Sequence, residues 1–503
     1  MRSHFILTAG AAPFASSTVD AVSPCCTTLA NLSGFRQKVF FPESEIYNER
    51  LESIFSQSAR QAPWCVLLPE SSQDASEIMK TVSKLKCPFG IRSGGHGMHR
   101  LSNSVEGGIT IDFTRMNTTK YDKKEGIVSI GPGMRSGHIY DEIMDDGIVV
   151  TAGRVAPVGA AGFITGGGIS YHWPSHGWGC DNVVNYEMIL ANGTIVNANE
   201  HQNRDLWFAQ RGSSGNFGLI TRYDMRAIPY ANPKVPLIWA GAIEYDWSAK
   251  GEFVNRWVAF TKRHALDMNS SSMFQFQYDT TSDKWQLATI LSNTANIANA
   301  TTLQPIISMD KQLGNGLRSD TMGNFTREFF ADVNDKYHIW LTSTYTVDPE
   351  FILYTQDQHQ LLVQQLRAAL PNGTQFTSLT THHAMTPTVV SHSKGNNVLG
   401  LERRVANNTV GHMFLIWVQL KTAQDEAIAL PIVQAWHKRL GGEGTKRKIN
   451  WNWEYLNYAH GLQDPIRTYG KENIRKLRKA SKKHDPEGIF QTLRGSGFKI
   501  PIN

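Results

Sequence analysis

Between Gly153 and Gly168, six of sixteen residues are glycine: Gly153, Gly159, Gly162, Gly166, Gly167 and Gly168. The usual frequency is about 7%. Two further clusters accompany this run, Arg92-Ser93-Gly94-Gly95-His96-Gly97 before it and Arg211-Gly212-Ser213-Ser214-Gly215-Asn216-Phe217-Gly218 after it. Such stretches do not hold as helix or as central strand, because glycine gives up the most backbone freedom and packs no side chain. They are suited to something else. Without Cβ, backbone N–H groups can approach an anion closely, and positive φ carries no steric cost. One cluster alone makes a tight turn; three predict a cradle for the pyrophosphate of a dinucleotide.

The clusters punctuate alternating short strands and helices over 61–231. Cys65-Val66-Leu67-Leu68 reads as a strand ended by Pro69, and Ser72 or Asp74 as the cap of a helix carrying Ile78, Val82 and Leu85 at helical spacing. Ile109–Phe113 and Gly126–Ile130 alternate as strands, and a helix is expected near Gly137–Met144. After Pro229 the composition shifts. Residues 232–440 are poorer in glycine and richer in aromatic and polar residues, with strands expected at 236–244, 273–279, 285–291 and 412–420 and helices at 252–265 and 356–370. That pattern predicts a second domain on an antiparallel sheet with helices to one side. Residues 441–503 regain turns and carry a helical segment at 470–484. The fold class expected is α+β in two domains.

Composition removes several function classes. No apolar run approaches the roughly 18 residues of a membrane span, and mean hydropathy is −0.32. Fifty basic and 44 acidic residues leave a net charge of +6, too balanced to imply nucleic-acid binding. The basic stretch Arg475–Lys483 is broken by apolar residues at helical spacing and reads as a solvated helix face. P-loop, G-x-S-x-G and HExxH patterns are absent, which disfavours a nucleotide triphosphatase, a serine hydrolase and a zincin, and no metal site is expected.

Other features point to secretion. Residues 1–20 have a basic start and a short apolar stretch interrupted by Pro13, and read as a signal segment. Asn-x-Ser/Thr begins at Asn31, Asn117, Asn192, Asn269, Asn299, Asn324, Asn372 and Asn407, which predicts a glycosylated surface. Adjacent Cys25 and Cys26 do not easily pair with each other, so each is expected to pair with Cys65 or Cys87, in either combination. Cys180 is left as a small buried thiol.

His96 lies between two glycines that cannot shield it, so its ring must meet something that comes close. Here the sequence becomes specific. Arg92–Gly97 resembles the covalent-flavin motif of the berberine-bridge-enzyme-like family, within the vanillyl-alcohol-oxidase superfamily with its PCMH-type FAD domain. The similarity continues through Gly131-Pro132-Gly133, Gly153-Arg154, Val158-Gly159, Gly166–Ser170, Asn192-Gly193 and Arg211…Asn216-Phe217-Gly218. It resumes at Tyr455-Leu456-Asn457-Tyr458-Ala459 and Asp485–Phe490, in family order, and is weak only in the middle domain. The cysteine pattern and the ending Gly497-Phe498-Lys499 look most like fungal members.

The resemblance implies FAD as cofactor, attached by an 8α-histidyl bond at His96. Bicovalent members add a cysteinyl bond at the position matching Val155; valine cannot form it, so a single link is expected. Arg92, Ser93, Gly94, Gly95, Gly97, Gly153, Val158, Gly159, Gly162, Gly166, Gly167, Gly168, Asn216, Gly218 and Asn457 are the implied cofactor-binding positions. Val158 matches a position governing oxygen access, where valine accompanies oxidase behaviour. Ser213 and Ser214 replace glycines of relatives, which puts a positive-φ role there in doubt. Tyr458 matches a catalytic base, a role that needs nearby positive charge or hydrogen bonds because its reference pKa is near 10. His460 stands where plant relatives often carry Asp, and Met98 and His99 are expected to face substrate.

The implied activity is hydride transfer from a small specialised metabolite, such as a polyketide or alkaloid, to flavin N5, with O2 as electron acceptor. A secreted carbohydrate oxidase is the second reading. A binding glycoprotein that keeps the fold without turnover is the third.

Overall fold

The chain is described by a computed structural model over residues 23–329 and 335–502. The signal segment read at 1–20 lies outside the described residues.

Three short strands run parallel in the order Cys65–Leu67, Ile109–Asp112, Phe89–Arg92, with Val39–Phe40 antiparallel at the outer edge. Every residue of Ile109–Asp112 is buried, as a central parallel strand covered on both faces requires. The helix Ser72–Leu85 packs Ala75, Ile78, Met79 and Val82 against this sheet. Its cap is Ser71, whose Oγ accepts from the Asp74 amide at 3.1 Å; Ser72 and Asp74, the two candidates from the pattern, are already in the first turn. Asp74 instead takes the Lys38 ammonium at 2.7 Å. Leu85 is exposed in the last turn, just before the left-handed cap at Lys86.

Disulfides Cys25–Cys87 and Cys26–Cys65 resolve the pairing that spacing left open, and Cys180 is buried and free. They tie the helix Pro24–Ala30 to the parallel sheet across separations of 62 and 39 residues. Closing loops of that size removes about 4 kcal/mol of unfolded-state freedom each in the chain-entropy view.

A second sheet is antiparallel, in the order Thr119–Asp122, Ile127–Ile130, Leu219–Arg226, Val183–Ile189, Ile195–Asn199. The carboxy-terminal segment returns to the first sheet: Phe89 N donates to Leu493 O at 2.9 Å and Gly495 N to Phe89 O at 2.6 Å. Before it, the helix Lys471–His484 buries Ile474, Leu477 and Ala480 and leaves its lysines in solvent.

The largest sheet is antiparallel throughout, in the order Gln312–Asn315, Ile238–Tyr245, Lys284–Asn293, Ser270–Asp279, Thr377–Met385, Gly411–Leu420, Tyr337–Thr346, with Arg318–Asp320 also pairing with Ile238–Tyr245. Two of its long strands, Tyr337–Thr346 and Thr377–Met385, escaped the sequence pattern. Both bury Thr and His along with apolar residues, which hides the alternation. The helix Ala423–Lys446 also escaped it, because Pro431 and three glycines interrupt a stripe that nevertheless buries Ala429, Val433, Trp436 and Leu440. Alternation along the strands sends Ile339, Leu341 and Phe414 to the helix-covered face and Trp340 and His383 to the other.

Buried histidines make this fold sensitive to acid. Burial pushes His172, His359 and His412 down to about 3 and His437 to about 4. The unfolded chain binds protons near the ordinary value of 6.5 while the folded chain does not, so stability is full above that value and lost as pH falls toward 4. The denaturant midpoint is expected to fall steadily from pH 6.5 to 5, measured by tryptophan fluorescence; a flat profile over that range would contradict it.

Candidate functional site

The strand Phe89–Arg92 ends in the loop that carries His96. Beneath the loop, the buried Arg92 side chain donates to Ser53 Oγ at 2.8 Å and to Arg50 O, and pairs with Asp112 at 3.2 Å. Asp112 also takes Arg50 Nε at 3.0 Å. Burial lowers Arg92 to about 10. Gly95 rests on this guanidinium with φ +72°, and a Cβ there would stand 2.7 Å from Arg92 Nε.

Gly94 lies backbone to backbone against Gly159, where a Cβ would come within 2.5 Å of the Gly159 amide nitrogen. The first two glycine clusters therefore touch, and neither contact position admits a side chain. Ser93 Oγ donates to Pro132 O at 2.6 Å and Arg135 Nη2 to Gly94 O at 3.2 Å, which completes the support.

The His96 ring stacks on Phe55 with centroids 4.1 Å apart and planes 13° apart. Burial lowers its pKa to about 4, so the imidazole is neutral at pH 7. Its Nε2 is buried without a hydrogen-bond partner among the described residues. His96 borders a cavity of about 330 Å³, enclosed by the loop, residues 153–165, the turn Leu456–Tyr458, Trp340 and the segment 494–498.

Among the described residues no Asp or Glu lines that cavity, but Arg154 and Arg494 do. Arg494 is buried and is lowered to about 9 by that burial, with no acidic partner among the described residues. Asn216 Oδ1 at 2.9 Å and Phe498 O at 2.7 Å accept its Nη2. Two arginines on one cavity with no acidic partner among the described residues call for an anionic occupant. Gly162 borders the same space, and a Cβ there would meet nothing within 4 Å.

On the same cavity, Tyr458 Oη accepts from Arg154 Nη2 at 3.2 Å and lies 3.2 Å from His383 Nε2. Burial raises the phenol above its ordinary value, and the Arg154 guanidinium partly offsets the rise. Burial, with Arg154 and His412 nearby, holds His383 well below the usual histidine range.

Residues 63–199 match the FAD binding domain family. The chain is 32% identical over 483 residues to the FAD-dependent monooxygenase sdcF of Emericella nidulans, covering 95% of this chain and 98% of that one. The chain belongs to the berberine-bridge-enzyme-like FAD-linked oxidoreductases. In fold it is similar to berberine bridge enzyme from Eschscholzia californica, with a TM-score of 0.73, 17% identity, and 95% and 99% of the two chains covered. It is also similar to the xylooligosaccharide oxidase of Myceliophthora thermophila, with a TM-score of 0.73, 16% identity and the same coverage.

FAD is thus the group these residues must accommodate, and they fit it: an unpartnered buried imidazole nitrogen, an open glycine and two uncompensated arginines face one cavity. Ser93, Gly94, Gly95, Gly97, Gly153, Val158, Gly159, Gly218, Asn457 and Tyr458 border it, as do Met98, His99 and Val155. Arg92, Asn216, Gly166, Gly167 and Gly168 do not line it and act from behind.

Arg92 carries the loop and Asn216 carries Arg494. The glycine triplet carries the turn of Asn457 and Tyr458. A Cβ on Gly166 would lie 2.0 Å from Asn457 Oδ1, and Gly168 N donates to Tyr455 Oη at 3.0 Å. The Asn457 amide donates to Phe163 O at 3.0 Å and to Tyr455 Oη at 3.1 Å. Ser214 takes the left-handed conformation itself, with φ 64°, so the role left in doubt there is filled by a serine. His460 packs near His99 with ring centroids 5.7 Å apart, and burial lowers it to about 4.

Sequence reasoning missed the partners of Tyr458 and the cation Arg494, none of which stands at a telling spacing. Arg494→Met is expected to weaken FAD uptake by flavin-free protein about 10–100-fold, the loss of one charge-assisted contact. Fluorescence titration with FAD measures it, and unchanged affinity would remove Arg494 from the cofactor site.

Proposed function

We propose that this protein is an FAD-dependent oxidase of small specialised metabolites, with the flavin held by one bond from His96 and with Tyr458 as the group that receives a substrate proton. The observation that carries the reading is the Tyr458–Arg154 contact on a cavity that no acidic residue lines among those described. FAD, when bound, supplies the acceptor for a substrate hydride and passes the electrons on to O2.

The chain's own residues do the rest. His96 is neutral and has a free lone pair at neutral pH, as attachment through a ring nitrogen requires. Val155 borders the cavity without a thiol, which supports a single link. Arg154 stabilises negative charge on the phenol oxygen, so Tyr458 is the better base for an acidic O–H or N–H beside the C–H that is oxidised. Trp340, Met98, Phe163 and Ile169 make apolar walls that exclude water and favour an aromatic or polyketide-like substrate over a sugar. Val158 at the cavity edge supports oxidase rather than dehydrogenase behaviour. The curated relatives carry the name FAD-dependent monooxygenase, which agrees with use of O2. All eight sequon asparagines are exposed and two disulfides close, which supports a secretory route.

Denatured native protein is expected to weigh more than its sequence by one FAD, while His96→Ala protein does not; equal masses apart from the substitution would refute the link. A panel of phenolic polyketides, alkaloids and oligosaccharides, followed by anaerobic bleaching of the flavin and aerobic peroxide release, identifies the substrate class. Tyr458→Phe is expected to slow bleaching at least about 100-fold at unchanged flavin content. Full retention of rate would take the base role from Tyr458.

A further inference from the structure

The Arg154–Tyr458–His383 contact contains more than a tyrosine beside a positive charge. A guanidinium has donors only, so in its contact with Arg154 the Tyr458 oxygen is the acceptor. The phenol's own proton is then left for another partner, and His383 Nε2 stands 3.2 Å away. A neutral phenol cannot take up a substrate proton and keep its own.

We propose that Tyr458 and His383 act as a two-member proton relay, in which a substrate proton enters at Tyr458 Oη and leaves through His383 into a second cavity behind it. This rests on the proton-accepting role of Tyr458 given above. The second cavity, of about 50 Å³, shares Arg154 and Ile169 with the main one; His383 borders the second cavity, together with Ser271, Ser272, His264 and Thr386. It is large enough for water and lined with hydroxyls that hold it.

The step balances as follows. The substrate O–H or N–H bond breaks and its proton bonds to Tyr458 Oη, while the substrate keeps the electron pair. The phenol O–H bond breaks and that proton bonds to His383 Nε2. The Nδ1 proton leaves to water in the second cavity, and the ring later returns to its starting tautomer by exchange with the same water. Nothing is oxidised in this step.

His383 passes the proton on rather than storing it, because a second cation there would sit in the interior beside Arg154 and His412. Neighbouring His382 faces the helix-covered side, stacked on Phe274 at 4.2 Å and bonded to His412 at 2.7 Å, so it takes no part. His383 acts through Tyr458 and is a relay and positioning residue rather than a group touching substrate.

Nuclear magnetic resonance of holoenzyme carrying isotope-labelled histidine tests the relay without turnover. His383 is expected to carry its proton on Nδ1, with an Nε2 signal that moves when Tyr458 is replaced by Phe. A protonated Nε2 in the native enzyme, or a signal indifferent to Tyr458→Phe, would overturn the relay.

A kinetic arm uses the first panel compound that bleaches the native flavin. His383→Gln is expected to slow anaerobic bleaching about 100-fold with substrate affinity within threefold of native. His383→Ala is expected to regain at least about tenfold with added imidazole. A native rate in His383→Gln, or absence of rescue in folded, flavin-loaded His383→Ala, counts against the relay. Full activity of Tyr458→Phe instead defeats the base role itself, whatever the tautomer of His383, so the two failures are distinguishable.

Discussion

At Gly94 and Gly159 two stretches of backbone meet where any side chain would have to overlap a neighbouring main chain. This contact sets the separation between the loop of His96 and the run that leads to Gly162, and so sets one wall of the flavin cavity. The Arg50–Asp112–Arg92 cluster supports it from below, a buried carboxylate held between two guanidinium groups. Breaking either half of such a cluster leaves an unpaired buried charge, which is why it serves as a rigid floor. His96 is presented from that floor, stacked on Phe55, with one ring nitrogen left over for a partner outside the protein.

Charge is distributed in the site with one sign. Two arginines line the cavity and, among the described residues, no acid does. Arg494 meets an asparagine and a carbonyl, neutral groups that orient it without cancelling its charge. Arg154 meets a phenol. The cavity is therefore suited to an anionic cofactor. The neutral, buried His383 stands beside that phenol, with its Nε2 3.2 Å from the Tyr458 oxygen.

Much of the cofactor half was legible in the residues. Glycine clusters record missing side chains directly, and a histidine between glycines marks a ring that must be approached. The short strands around them were readable because each alternates or runs apolar over four residues. The middle sheet was half legible. Thr377–Met385 buries threonines and histidines, and Ala423–Lys446 contains a proline and three glycines, so composition argued against elements that tertiary packing enforces. The cap of the helix Ser72–Leu85 was misread by one residue, since Ser71 and Ser72 are equivalent by type and only the Asp74 amide distinguishes them.

Sequence alone determined where the main chain has to be bare, which cysteines had to seek distant partners and which histidine stands unshielded, because these are properties of residue type and immediate neighbours. Tertiary structure alone decided which cysteine pairs with which, that Gly166–Gly168 seat the tyrosine turn rather than face the cavity, and that Arg154, His383 and Tyr458 converge. Arg154 and Tyr458 are 304 residues apart in the chain and His383 is 75 from Tyr458. Contacts across such separations depend on how sheets stack and twist, and no local pattern of residues encodes them.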